Sequence, residues 1–429
     1  MKKNYLVILL GIALASCGDN FTPANEPVID DENKEIEEEE IYRHDIELSD
    51  IESNIVDAQS VFACNFFKAS LSMNKGENFV ISPLSAYMDL SMVANGASGK
   101  TASELTSVLM GENSTIDEVN TFNKRLATEL MAMDNRAKLK LSNSIWYSND
   151  FQINPAFLNV NKEYYDALST SLDFTKSESF DLMDKWVDDA TNGLIKRFPT
   201  RASFQFTIAN ALYFNGKWAY SFDPDDTKDD RFINSDGSIS TVKMMEKIGF
   251  EYYEPTQENG KFVIVQIPYG NGSYTFNVAF SISDSDVSLD GIENVIIPEN
   301  IKKMSYSRIY GSTIKLPRFE VSTLGDITKA MSELGLKELF SDKPDLTGIS
   351  NSKIGQFSIL QESVIKVDEA GAEAGSATAM IPTTGLLDGP EPGMPKSFIV
   401  NSPFVFWIME QSTQSIVFIG KVDKLQSID

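Results

Sequence analysis

Residues 367–380 read VDEAGAEAGSATAM. After Glu373 the run carries no charge, and nearly every side chain in it is Ala, Gly, Ser or Thr. Such side chains are too small to anchor a core, yet the stretch leads into IPTTGLLDGPEPGMPKS, whose Pro and Gly content is that of an exposed loop. A flexible Ala/Gly linker would share this composition. The flanks argue against that reading, because VIKVD precedes the stretch and FIVNSPFVFWIME follows it, both rich in strand-forming residues. If a strand begins at Ala372, period-two alternation turns Ala372, Ala374, Ser376, Thr378 and Met380 to one face and Glu373, Gly375, Ala377 and Ala379 to the other. The first set has no charge, and Glu373 falls on the face that can meet solvent.

Working outward, helical spacing is clear in DAQSVFACNFFKASLS (57–72), in SPLSAYMDLSMVANGA (82–97), where Ser82 and Pro83 start a helix and Gly96 stops it, and in TLGDITKAMSELGLKELF (323–340). Strand character appears in FTIANALYF, KFVIVQIPY, YTFNVAFSI, STIKLPRFEV, ESVIKVD, FIVNSPFVFWIME and SIVFIGKV. The class is α+β with large sheets. No internal repeat and no long linker precede residue 380, so a single folded domain over 50–429 fits better than two.

The 429 residues are 42% hydrophobic and 10% aromatic, enough for a sizeable core. The net charge is -25, and residues 18–52 supply about half of it, with fourteen Asp and Glu against Lys34 and Arg43. That balance disfavours nucleic acid as a partner. Composition makes residues 17–49 a solvated acidic tether. The single histidine, His44, excludes a Ser-His-Asp hydrolase, a Cys-His protease and a zinc site built from several His; neither metal nor cofactor is expected.

Residues 1–16 have a basic end and an apolar run too short to span a bilayer. Leu14-Ala15-Ser16-Cys17 resembles the lipobox of a bacterial lipoprotein, which implies that Cys17 becomes the lipid-bearing first residue and anchors the chain in the cell envelope, with the outer-membrane surface as one address. An ordinary signal peptide that happens to contain Cys is the plainer alternative. With Cys17 used, only Cys64 remains, so no intrachain disulfide can form.

From about residue 50 to 424 the chain resembles the serpins. The resemblance rests on NFVISPLSAYMDLSMVANGASGKTASEL, WVDDATNGLIKRF, IANALYFNGKWAYSFDPDDT, KLPRFEV, LGLKELFSDKPDLTGIS, VIKVDEAGAEAGSATA and NSPFVFWIMEQSTQSIVFIGKV, in one order and register. It implies three β-sheets with eight or nine helices and an exposed reactive loop, here about 370–397. It also implies a suicide mechanism: a target protease cuts the loop and forms an acyl-enzyme, and the loop's N-terminal side then inserts into the central sheet and distorts the protease. The protein itself would have no catalytic residues and act as a monomer.

The same resemblance gives the opening stretch its roles. Glu369 would sit at the top of the strand before the loop and pair with Arg318, Gly371 would be the hinge, and Ala372, Glu373, Ala374, Gly375, Ser376, Ala377 and Thr378 would lead the inserted strand. Trp218, Arg318, Ser82, Ser85, Asn210 and Gln361 would line the region where the sheet opens. Two departures stand out. Gln361-Glu362 replaces the family's frequent His-Lys, so a hydrogen bond near Asn210 must come from Gln361 or be lost. Ala372 replaces the more usual Thr or Ser. Pro382 would lie near the trailing end of the new strand, where proline removes a ladder bond.

Counting forward from Glu369 places the scissile bond at Gly385-Leu386, within a window of Thr384, Gly385, Leu386 and Leu387; counting backward from Pro403 gives Pro392-Gly393. The forward count is preferred, because the sheet sets insertion length while DGPEPGMPKS can lengthen freely. No Arg or Lys lies between Lys366 and Lys396, which favours elastase-, chymotrypsin-, subtilisin- or papain-like targets over trypsin-like ones. The competing reading is a non-inhibitory member acting as a binding or chaperone-like module. Small residues at the hinge argue against it.

Overall fold

The structure is a computed structural model that describes residues 42–111, 114–201, 204–253, 261–282, 287–302, 308–354, 359–372 and 397–427. Eight α-helices lie among them: α1 Asp50–Met73, α2 Pro83–Ala94, α3 Gly99–Leu109, α4 Ile116–Ala132, α5 Pro155–Tyr165, α6 Ser177–Ala190, α7 Pro298–Lys302 and α8 Thr328–Glu333. Local sequence explains their starts. Ser49 and Glu52 form a capping box ahead of α1, as do Thr115 and Glu118 ahead of α4, each pair exchanging side-chain and backbone hydrogen bonds. Pro83 and Pro155 occupy first-turn positions of α2 and α5, where a missing N–H costs nothing. Ahead of α1, Ile46 is buried and its N–H donates to Ser412 Oγ, so packing reaches back into the stretch read as tether.

The strands build three sheets. The first runs β10 (Phe319–Asp326), β11 (Leu360–Val367), β12 (Gly371–Ala372), β4 (Phe206–Lys217), β2 (Ala137–Ser148), β3 (Leu168–Leu172). The second runs β1 (Phe79–Ile81), β15 (Ile416–Val422), β14 (Phe404–Glu410), β8 (Tyr274–Ser281), β7 (Phe262–Pro268). The third comprises β5 (Lys228–Ile233), β6 (Ile239–Tyr253), β9 (Arg308–Pro317) and β13 (Ser397–Ile399). The second and third meet through a single register pair, Tyr253 with Gln266. Every residue of β8, β14 and β15 is buried, which fits their unbroken apolar runs. Helix α2 packs against β4 on one side and β15 on the other, and it is buried on all its faces from Pro83 to Val93.

Three sequence-based elements change in the structure. The helix expected over 323–340 is helical only from Thr328 to Glu333. Residues up to Asp326 extend β10 instead, and Gly335, at φ +110, ends the helical turn in a conformation other residues rarely adopt. STIKLPRFEV divides into β9 and β10 after Pro317, and FIVNSPFVFWIME divides into β13 and β14 around Asn401-Ser402-Pro403.

Candidate functional site

Between β11 and β12 the chain turns through Asp368-Glu369-Ala370-Gly371. Asp368 N–H donates to Gly371 O at 2.9 Å, Gly371 N–H returns to Asp368 O at 3.2 Å, and Ala370 N–H donates to Asp368 Oδ1 at 3.0 Å. The turn's three successive carbonyls are then claimed by one neighbouring segment. Trp218 Nε1 donates to Asp368 O at 2.8 Å, Phe222 N–H to Glu369 O at 3.1 Å and Trp218 N–H to Ala370 O at 3.0 Å. Trp218 is fully buried, stacked on Tyr269 at 4.5 Å between ring centres and flanked edge-on by Phe222 and Phe276. An aromatic cluster thus holds the base of the loop by its backbone.

Glu369 is 7% exposed, and its carboxylate takes Arg318 Nε at 2.6 Å and Arg318 Nη2 at 2.5 Å on one oxygen, which also accepts from Thr227 Oγ1. Burial pushes its acidity toward the neutral form, but the Arg318 and Thr227 hydrogen bonds outweigh that, and the group is held below the usual carboxylate range.

Below the turn, β12 is two residues long. Gly371 pairs with Lys217 and Ala372 with Gly216 on β4, and Ala372 also pairs with Val367 on β11. Ala372 is 2% exposed. Among the described residues no ladder joins β4 directly to β11; below Ala372 the two strands face each other without pairing. Beneath them, Ser82 N–H donates to Gln361 Oε1 at 3.0 Å and Gln361 Nε2 donates to Ser82 O at 2.9 Å. Ser82 Oγ donates to Val417 O and accepts from Ser85 N–H. Asn210 Nδ2 donates to Asn143 Oδ1, while Asn210 Oδ1 is buried without a partner among the described residues.

The arrangement is a sheet of antiparallel and parallel strands with a two-residue wedge at one end, and it matches a known family. The description Serpin (serine protease inhibitor) fits residues 57–425. The chain belongs to the serpin family. The serpin is 29% identical over 382 residues to a serine protease inhibitor of Cyanea capillata, covering 85% of this chain and 96% of that one. It is 26% identical over 378 residues to human neuroserpin, covering 85% and 90%. The crystal structure of Serpin48, described as a highly specific serpin in the insect Tenebrio molitor, superposes with a TM-score of 0.75 at 27% identity, covering 89% of this chain and 100% of that chain.

Within this serpin, Trp218, Arg318, Glu369, Gly371 and Ala372 come together at the top of the sheet, and Ser82, Ser85 and Gln361 cluster beneath it. The ion pair expected between Arg318 and Glu369 is present. Gln361 does not supply a hydrogen bond to Asn210: both of its polar atoms are spent on the Ser82 backbone. Cys17, Glu373, Ala374, Gly375, Ser376, Ala377, Thr378, Thr384, Gly385, Leu386 and Leu387 lie outside the described residues. Sequence reasoning missed Thr227, Phe222, Asp368 and Gly216. Gly216 alone left a signal, a glycine inside a strand pattern, which marks close backbone approach.

Proposed function

We propose that this serpin is a suicide-type inhibitor of an endopeptidase. The target's serine hydroxyl, or a cysteine thiol, attacks a loop carbonyl within Thr384–Leu387. The peptide C–N bond breaks, the new amino terminus leaves with the C-terminal fragment, and the acyl group stays on the enzyme. Insertion of the loop between β4 and β11 then outruns hydrolysis of that acyl bond.

The observation that carries this reading is β12. Gly371-Ala372 already stands as the first rung of a strand between β11 and β4, and the residues that follow in sequence are small and, past Glu373, uncharged. A strand that must enter late needs side chains that cost little in water and fit between existing neighbours. The absence of Arg and Lys from 367–395 points the loop toward elastase-, chymotrypsin-, subtilisin- or papain-like enzymes. No cofactor is called for, and the protein works as a monomer. The lipobox-like sequence ending at Cys17 supports attachment to a bacterial envelope membrane, with the acidic segment as spacer.

Incubation with a panel of these proteases tests the function. A complex that survives SDS, with loss of a C-terminal fragment, is the expected result; cleavage of the loop by every enzyme that attacks it, with all protease activity retained, would favour the binding-module reading.

A further inference from the structure

Helix α2 contains one charged residue, Asp89, and it lies in the interior. Its side chain belongs to a helix buried on every face, and its Oδ1 has no hydrogen-bond partner among the described residues. Asp89 follows Ser85 by one turn and Ser82 by two, so it shares the stripe whose first member exchanges hydrogen bonds with Gln361 of β11. The opposite stripe carries Tyr87, whose hydroxyl donates to Leu109 O of α3 and whose ring meets Phe62 of α1.

The strands above that stripe hold matching vacancies in hydrogen bonding. On β4, Ala209 and Ala211 pack outward with the α6 side while Phe214 packs inward on Tyr269 and Tyr274, so Asn210 points inward. On β11, Ile365 belongs to the main core and Val364 to the outer cluster, which places Ser363 inward as well. Asn210 Oδ1 and Ser363 Oγ are both buried and without partners among the described residues. Three orphaned polar atoms therefore sit on the inner surfaces of α2, β4 and β11, where the sheet has to part.

Among the described residues no charge compensates Asp89. On β4 the titratable groups are Tyr213, which accepts from Asn192 and Asn215 on the outer side, and Lys217 at the strand end. On β11, Glu362 and Lys366 occupy the face opposite Gln361 and Ser363. β15 has Lys421 alone, paired with Asp423. None of the charged residues of α1, α3 and α4 is buried, and the Cys64 thiol of α1, pushed up to about 12 by burial, stays neutral. Burial alone raises the Asp89 carboxyl, to about 8.

We propose that Asp89 is a proton-operated latch on the central sheet: neutral, it is tolerated under the closed sheet; ionised, it favours parting of β4 from β11, because opening lets water reach it. This rests on the insertion reading above. The sign follows from the raised acidity constant. The native state's tolerance of neutral Asp89 is complete below the ordinary Asp value of about 4 and is lost as pH rises to the folded-state value of about 8. Alkaline conditions thus loosen the sheet and acidic ones lock it.

The test is annealing of a fluorescent peptide with the sequence of residues 371–384 to the intact full chain, between pH 5 and 9. For the wild type the rate should rise with pH from 5 to 8, by up to tenfold per pH unit of linked ionisation, and level off above about 8. For Asp89→Asn it should be slow and flat. The Asn variant should also unfold at a higher temperature than the wild type at pH 8 and together with it at pH 4. Annealing with the same pH profile in both proteins overturns the latch and leaves insertion intact; no annealing at any pH overturns both. Carbon-13 carboxyl NMR of the wild type decides the matter without a variant, since Asp89 titrating near 4 would contradict the proposal.

Discussion

Gly371 lies so close to Gly216 that a Cβ built on it would stand 1.8 Å from the Gly216 carbonyl oxygen. Its φ of +148 is also a conformation that side-chain-bearing residues rarely adopt. Gly371 is thus required by the folded state, as a place where two backbones touch.

Gly371→Ala should therefore push β12 off β4 and destabilise the protein by roughly 1–3 kcal/mol, the usual cost of forcing extra atoms into a packed site. Because Ala370 O and Asp368 O hold Trp218, the displacement should expose the indole. A red shift of the Trp218 emission, read against a Trp218→Phe control, checks it; an unchanged spectrum and midpoint would mean that the contact is not maintained in solution.

Removing the partner of Glu369 should cost more than an ordinary surface pair, since this carboxylate is buried. Arg318→Ala should lower stability by roughly 1.5–3 kcal/mol, the range for hydrogen bonds to charged groups. The Glu369 group is held below its usual range, so its contribution is present above the unfolded value and is lost as pH falls through the folded one. The gap in thermal midpoint between wild type and Glu369→Gln should accordingly narrow as pH falls below about 4. A gap that does not change between pH 6 and pH 2 would show that packing, not charge, is at work.

Much of this was legible in the sequence, and the rest was hidden for identifiable reasons. The continuous apolar runs of β8, β14 and β15 read as strands because both faces are buried. β2 and β6 escaped notice: AKLKLSNSIWYS and ISTVKMMEKIGFEYY mix polar residues into both alternation classes, since their neighbours rather than their own pattern supply the partners. Leu324 looked like part of a helical stripe, yet it is an exposed residue of β10. The pairing of Arg318 with Glu369 could be carried over from related sequences. The choice by Gln361 of the Ser82 backbone over Asn210 could not, because an amide can satisfy either and only the packed geometry selects.

Gln361→Leu tests that choice. It leaves the Ser82 N–H without its acceptor at the start of α2, while the Ser82 carbonyl keeps the Ala86 N–H. An unsatisfied buried group costs about 1–3 kcal/mol, so the urea midpoint should fall. A variant as stable as the wild type would show that water replaces the amide there.

Attachment to a membrane is checked by fractionation. Cys17→Ala should leave the protein unlipidated and move it from the membrane to the soluble fraction. Membrane retention of the variant, or a mature N-terminus at another residue, would count against the lipoprotein reading.

The central claim is that a strand starting at Ala372 inserts faster than the acyl-enzyme hydrolyses, and the inhibition stoichiometry of Ala372→Arg tests it most directly. The wild-type Ala372 side is buried between β4 and β11, and an unpaired ion there costs several kcal/mol even after relaxation. With a protease that the wild type traps, the variant should be cleaved at an unchanged rate and release active enzyme, while Glu373→Ala continues to trap. An Ala372→Arg protein that forms the SDS-stable complex at wild-type stoichiometry would contradict the insertion mechanism.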